Sequence, residues 1–266
     1  MRVWLVTSFA LALAWAPAGR AEEATALIWK GAKTRAEAEA LLPAWKPIGQ
    51  VLSSGGIAVP EGGPTLVESN TLPGLKPGFW VWVVGICPRE DGGAVLEHLK
   101  SVAPDAYARD VKVPKEKLAC PGLEAATLKV DSHRFKLDGG RVLQVFTYEE
   151  SEAPEDDMPG DTFTRTHYRF ALMSKAGQVL HSVAVVGEED FSGDVRNGPA
   201  AYRCTVASIR RAKKDTVVFT RHCQAGIAEC GSVVSGDEVT TLTLSGDSIE
   251  SKEARRNEVR EECVTD

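Results

Sequence analysis

The sequence predicts an α+β protein: a βαββαβ module followed by an antiparallel all-β domain built as a meander, sandwich or partial barrel. Three observations carry this. Apolar residues recur at helical spacing in two stretches, Ala38–Trp45 and Val95–Val102, both in the first half of the chain. Between them, Phe79 to Ile86 is apolar at nearly every position, the pattern of a strand buried on both faces. Beyond residue 121, short apolar runs alternate with Gly, Asp and Ser clusters, as in a succession of strands and turns. At 266 residues, 43% hydrophobic and 26% charged, the chain is neither disordered nor collagen-like nor a coiled coil. Its length fits about two domains. A net charge of −6 provides no basic field for nucleic acid.

Residues 1–21 read as a secretory leader. Met1-Arg2 forms a short positive start, and Val3 to Trp15 is a 13-residue run without charge. That is too short to span a bilayer, which needs about 20 apolar residues. Pro17 breaks the run, and Gly19 and Ala21 are the small residues expected at a cut before Glu22. Cutting there removes Arg2 and Arg20 and leaves 29 basic against 37 acidic residues. No later segment is long and apolar enough to span a membrane. The expected location is periplasmic or secreted.

Residues 22–113 carry the βαββαβ order. Thr25 to Trp29 reads as a strand. Thr34-Arg35-Ala36-Glu37 is a capping box that opens a helix, with Ala38, Leu41, Leu42 and Trp45 on one apolar face. Pro47 and Gly49 are expected to stop it, with Ser53 to Gly63 a loop. Thr65 to Ser69 is a second strand, and the Pro- and Gly-rich Leu72–Gly78 a turn. Phe79 to Ile86 is the third strand. A helix follows Pro88, with Val95, Leu99 and Val102 as its buried stripe, and Ala106 to Val113 is the fourth strand. This order builds a ferredoxin-like four-stranded antiparallel sheet with both helices on one face and the other face open.

Residues 114–121 read as a charged linker, and residues 122–266 as the β domain. Its expected strands are Ala126–Val130, Val142–Tyr148, Thr164–Met173, Val179–Val186, Tyr202–Ile209, Thr216–His222 and Glu238–Leu244. Ser251 to Glu262 is highly charged and is expected to form a short helix. Glu149 to Asp161 holds seven acidic residues among thirteen, without a calcium-loop spacing, and reads as a solvated loop.

All six cysteines lie beyond the leader, so they read as a disulfide set. A hairpin centred between Lys213 and Lys214 sets Cys204 directly opposite Cys223, within bridging distance. Cys87 and Cys120 are then the two left in the N-terminal half, and Cys230 and Cys263 the two left in the C-terminal half. That arrangement ranks first. No C-x-x-C occurs and Cys223-x6-Cys230 matches no zinc spacing, so no metal or cofactor is expected.

Trp80-Val81-Trp82-Val83-Val84-Gly85-Ile86, followed by a helix over Ala94 to Val102, resembles the SPOR family of cell-envelope domains over about residues 24–113. That family's strand also runs aromatic, then aliphatic, then Gly; Val83 stands where it usually carries Gln. The resemblance implies binding of peptidoglycan glycan stripped of its peptides. Trp80 and Trp82, two apart in a strand, point to one side, where flat rings could stack on sugars with Arg109 as a polar partner. The alternative is that both tryptophans are core against the helices.

No G-x-S-x-G, H-E-x-x-H, Walker A or G-x-G-x-x-G motif occurs, so no catalytic residue is assigned. His167 and His181 are expected to face each other across the Lys175-Ala176-Gly177 turn, a weak metal pair without a third ligand. The expectation is therefore an exported, non-enzymatic binding protein of peptidoglycan or an envelope protein partner. A carboxylate-dependent hydrolase and a structural or inhibitory scaffold are the alternatives.

Overall fold

A computed structural model describes residues 21–152, 162–192, 201–227 and 232–261. Residues 1–20 of the expected leader, most of the expected acidic loop, Cys230 and Cys263 lie outside the described residues. The expected Cys230–Cys263 bridge lies there too.

Strand β1 (Ala21–Ala32) begins the described chain, with Ala21 paired to Pro114. The capping box at Thr34 and Glu37 is formed and opens α1 (Arg35–Glu39). A 3-10 turn over Leu42–Ala44 absorbs Pro43, and α2 (Trp45–Ser54) follows. The expected helix stop at Pro47 and Gly49 is overturned. Pro47 is the third residue of α2, where a backbone N–H has no intrahelical acceptor, so proline costs nothing there. Strands β2 (Thr65–Glu68) and β3 (Trp80–Pro88), helix α3 (Gly92–Val102) and strand β4 (Tyr107–Pro114) complete a sheet in the order β2-β3-β1-β4. Every adjacent pair is antiparallel.

Neither face of this sheet is open. One face carries Leu27, Trp29, Trp82, Val84 and Cys87 against Ile48, Val51, Leu52, Val95, Leu99 and Val102 of the helices. The opposite face carries Ala24, Ala26, Ile28, Val81, Val83, Val111 and Val113, all buried. It is covered by the chain between β2 and β3, which sets Leu72, Leu75 and Phe79 on it, and by Leu118. Gly74 makes this possible. Its φ is +112°, and a Cβ there would lie 2.2 Å from the Asp110 carbonyl. Only glycine lets the strap come so close to β4, where the Lys112 N–H donates to the Pro73 carbonyl at 3.1 Å.

The stretch expected as a linker is strapped down. Ala119 bridges Ile86 of β3, Gly122 bridges Ala58, and Cys120 is joined to Cys87 with their Cα atoms 4.4 Å apart.

The remaining strands are β5 (Lys129–Lys136), β6 (Val142–Glu152), β7 (Thr162–Met173), β8 (Val179–Ser192), β9 (Ala201–Lys213), β10 (Thr216–Ile227), β11 (Ser232–Ser245) and β12 (Ser248–Glu261). They form one antiparallel meander in chain order. The helix expected over Ser251–Glu262 is a strand. Gly246-Asp247 makes a two-residue hairpin loop, with Gly246 at φ +56°, and returns the chain along β11.

The eight strands curl around their own core of Leu143, Val145, Phe170, Leu172, Phe219, Leu242 and Ile249. The other side of β6 and β7, with Phe146, Ala171 and Met173, joins the cluster that holds the helices. The helices thus lie between the two sheets in one continuous apolar core. Arg169 adds a polar tie, donating to Ser54 at the end of α2 at 2.7 Å and to Ser182 at 3.0 Å.

Cys204 faces Cys223 and is bonded to it, with Cα atoms 4.0 Å apart. The route to this register differs from the expected one. The turn sits at Lys214-Asp215, and register shifts beside Thr216 and Thr220 bring the two cysteines back into opposition. His167 and His181 do not meet. The turn after Met173 is wider than expected, so His167 pairs with Val186 and His181 with Leu172.

Candidate binding site

The three residues expected to recognise a ligand do not share a surface. Trp82 is 6% exposed and points into the helices, where its Nε1 donates to the Ala38 carbonyl at 2.7 Å. Trp80 is on the same face and half-buried, with the Arg35 guanidinium 5.4 Å from its ring centre. Arg109 lies on the opposite face and stacks on Tyr107 at 4.7 Å. The sugar-stacking arrangement is therefore not assembled: Trp82 is core, Trp80 is half-buried under Arg35, and the sheet separates both from Arg109.

A different constellation lies in the curled sheet. Register places Arg165 of β7 opposite Glu189 of β8, and Arg221 of β10 opposite Glu238 of β11, which in turn faces Arg255 of β12. These five side chains form a ladder of alternating charge. Arg165 reaches Glu189 at 2.8 Å, and Glu189 reaches Arg221 at 2.5 Å. Arg221 reaches Glu238 at 2.7 Å, and Glu238 reaches Arg255 at 3.2 Å. Glu189 is 8% exposed at its side chain and Arg221 13%, so both charges depend on their partners. Burial opposes the Arg221 charge, but the Glu238 and Glu189 carboxylates together outweigh it and raise its pKa.

The ladder begins at Glu150, which is 3.5 Å from Arg165 and accepts from His167 at 2.8 Å. His167 stacks on Tyr148 with ring centres 4.7 Å apart. The His167 hydrogen bond holds the Glu150 carboxyl below its ordinary range. At its other end the ladder opens into a cavity of about 510 Å³. Val185 and Val186 of β8 form one wall, Glu253 to Arg255 of β12 the other, and Tyr202, Arg221 and Thr240 lie between. Burial raises the Tyr202 pKa.

The cavity exists because the sheet does not close. Strand β8 pairs with β9 only over Glu189–Ser192. Among the described residues, Val179 to Glu188 have no ladder partner on the side away from β7, and β12 has none on the side away from β11. The two free edges meet at one end, where the Ile249 N–H donates to His181 Nδ1 at 3.3 Å. They diverge toward Glu253 and Arg255.

Sequence reasoning found the disulfide whose Cys204 lies opposite Glu189 of the ladder, but not the mouth itself. The signal available was the hairpin dipeptide Gly246-Asp247, which identifies β12 and so completes the ladder at Arg255. No described group of His, Cys, Asp and Glu side chains has the geometry to hold a metal ion, and no described helix is long and apolar enough to cross a membrane. Comparison with family models, curated proteins and solved structures returned no match.

Proposed function

We propose that the protein is an exported, non-enzymatic binding protein, periplasmic or secreted, that recognises a polypeptide partner at the mouth between β8 and β12. The observation that carries this is the ladder itself. Its carboxylates, buried Glu189 and half-buried Glu238, each engage two arginines, so they are fixed in place and committed, an arrangement suited to shaping a rigid recognition surface. A carboxylate hydrolase needs one carboxyl kept protonated and another free to attack; arginine partners oppose the first condition.

Export rests on the leader-like first 21 residues together with two disulfides, which persist in an oxidising compartment. In this reading the four-stranded module is a ferredoxin-like, SPOR-like scaffold that buttresses the β domain through the shared core. The strand order and the element order support it.

Glycan recognition is the competing outcome. The whole chain from residue 22, which keeps the shared core intact, is incubated with cell-wall sacculi and sedimented. The expected result is no retention, unchanged in Trp80→Ala. Retention that is lost in Tyr202→Ala and Arg255→Ala keeps the mouth as the site and makes the ligand a glycan. Retention lost in Trp80→Ala alone overturns the proposal.

A further inference from the structure

We infer that the mouth takes up an extended peptide as an additional strand between β8 and β12, and that this peptide is acidic on its outward face. This rests on the reading that the mouth is the recognition site and specifies what enters it. Two unpaired strand edges face one cavity, so an inserted segment finds backbone donors and acceptors on both sides, which is the chemistry of strand addition. The Ile249 N–H already takes its acceptor from a histidine ring across the seam, which shows that this edge is within reach of groups on β8.

The charge on β12 selects the occupant. Its side chains alternate. Ile249, Ser251, Glu253 and Arg255 lie on the core side, where Ser251 pairs with buried Leu242; Glu250, Lys252, Ala254 and Arg256 lie outward. Arg255 is engaged by Glu238. Lys252 and Arg256 are exposed and make no ion pair among the described residues, on a chain with net charge −6. Arg256 lies opposite Asp237, whose carboxylate is taken by His222 and Asn257, so both cations remain able to favour carboxylates at the matching outward positions of the incoming strand. On its inward side the strand meets Val185 together with Tyr202, Thr240, Glu253 and Arg255, so small side chains there are accommodated beside polar groups and do not decide the selection. The usable edge ends at Asn257, where a positive φ of 53° and a register shift opposite Gly236 bend the strand.

A second copy is the competing occupant of this edge, because antiparallel pairing about a two-fold axis centred on Ser251 sets Glu250 opposite Lys252. Concentration-dependent dimerisation in sedimentation velocity that is lost on adding the peptide supports a shared edge; dimerisation that the peptide does not affect overturns the inference.

The test uses the full mature chain and a fluorescein-labelled peptide of alternating Glu and Val, with a Lys–Val peptide as control. Anisotropy is expected to show the Glu–Val peptide binding at least about tenfold more tightly. Lys252→Gln/Arg256→Gln is expected to abolish the preference, with a nearly unchanged thermal melt because both side chains are exposed and neither change sets like charges opposite one another. Amide exchange is expected to slow in both 179–188 and 248–256 on binding. Equal binding of the two peptides, no binding, or protection confined to other strands overturns the inference. Sacculus retention that depends on Tyr202 and Arg255 but not on Lys252 and Arg256 overturns it too, while leaving the mouth as the recognition site.

Discussion

The Trp82 indole donates to the Ala38 carbonyl across the interface between β3 and the end of α1, at 2.7 Å. This bond fixes the tryptophan as a structural residue. The same carbonyl accepts from the Leu41 N–H at 3.0 Å, so the indole adds a second donor where the chain passes from α1 into its 3-10 turn. Trp82→Phe keeps most of the ring and leaves that carbonyl with the Leu41 N–H alone, at a cost of about 0.5–1.5 kcal/mol for the lost hydrogen bond. Trp82→Ala also opens a cavity and costs about 3–5 kcal/mol. Urea denaturation checks both. A Trp82→Ala protein as stable as the parent would show that the indole does not pack the helices.

Glu189 sits between Arg165 and Arg221 at 2.8 and 2.5 Å. Glu189→Gln leaves two guanidinium groups facing each other with half their acceptors, in a position that water reaches poorly. The expected loss is about 3–5 kcal/mol, the range for breaking a buried pair from one side. Arg255→Ala at the exposed end of the same ladder is expected to cost less than about 1 kcal/mol. The contrast between the two in denaturant melts tests whether the ladder is graded by burial. Equal costs would mean that it is not.

The sequence made some of this legible and concealed the rest for physical reasons. The capping box at Thr34, the buried run of β3 and the Cys204–Cys223 opposition are local or short-range, and each is written in spacing or composition. The fate of the open sheet face was not. Leu72, Leu75 and Phe79 sit in a turn-rich stretch, and nothing in that stretch alone says that it folds back over β4. The single clue was Gly74, whose role appears only when Asp110 is beside it. The charged β12 resembled a surface helix because a strand stabilised by one neighbour need not look apolar. The ladder depends on register across five strand pairings, from β7 to β12, and a one-residue error in any of them scatters its members.

Gly74 therefore carries a prediction of its own. Alanine there must hold a φ that L-residues avoid and displace the Asp110 carbonyl, which a Cβ would approach to 2.2 Å. Backbone strain of this kind costs of order 1–3 kcal/mol. Because the strap covers Ala26, Val81 and Val111, lifting it exposes apolar sheet. Gly74→Ala is expected to lower the melting temperature and raise binding of a hydrophobic dye. Gly78 is the control, since it has a φ of +91° but open space around its Cβ position. Gly78→Ala is expected to lose stability without gaining dye binding.

The two disulfides close loops of different length, with sequence separations of 33 for Cys87–Cys120 and 19 for Cys204–Cys223. Constraint of the unfolded chain is worth about 3–4 kcal/mol for each, slightly more for the longer loop. Their structural consequences differ more than their energies. Cys87–Cys120 holds the strap at residues 115–121 to β3, whereas Cys204–Cys223 joins two strands already paired by a ladder. Replacing the first pair by Ser is expected to speed amide exchange at Ile86 and Ala119 selectively. Replacing the second is expected to speed exchange around Arg221 and Glu189. A uniform response to both would show that neither bridge acts locally.

Acid sensitivity follows from two carboxylates. The His167 hydrogen bond lowers the Glu150 pKa from its ordinary 4.5. The His222 hydrogen bond, aided by the Asn257 amide, lowers that of Asp237 from its ordinary 3.8. Each group is therefore more acidic folded than unfolded, and the unfolded chain takes up its proton first as pH falls. The stabilisation is complete above the ordinary carboxylate range and is lost as pH drops through the folded-state values. Denaturant midpoints are expected to hold steady from neutral pH and then decline on acidification. Glu150→Gln and Asp237→Asn are each expected to start lower and decline less steeply. Carbon-detected NMR titration reads the same quantity directly: His167→Gln should move the Glu150 carboxyl back up toward its ordinary value and leave Asp237 where it was. If Glu150 titrates identically with and without the imidazole, the two residues are neighbours without being coupled.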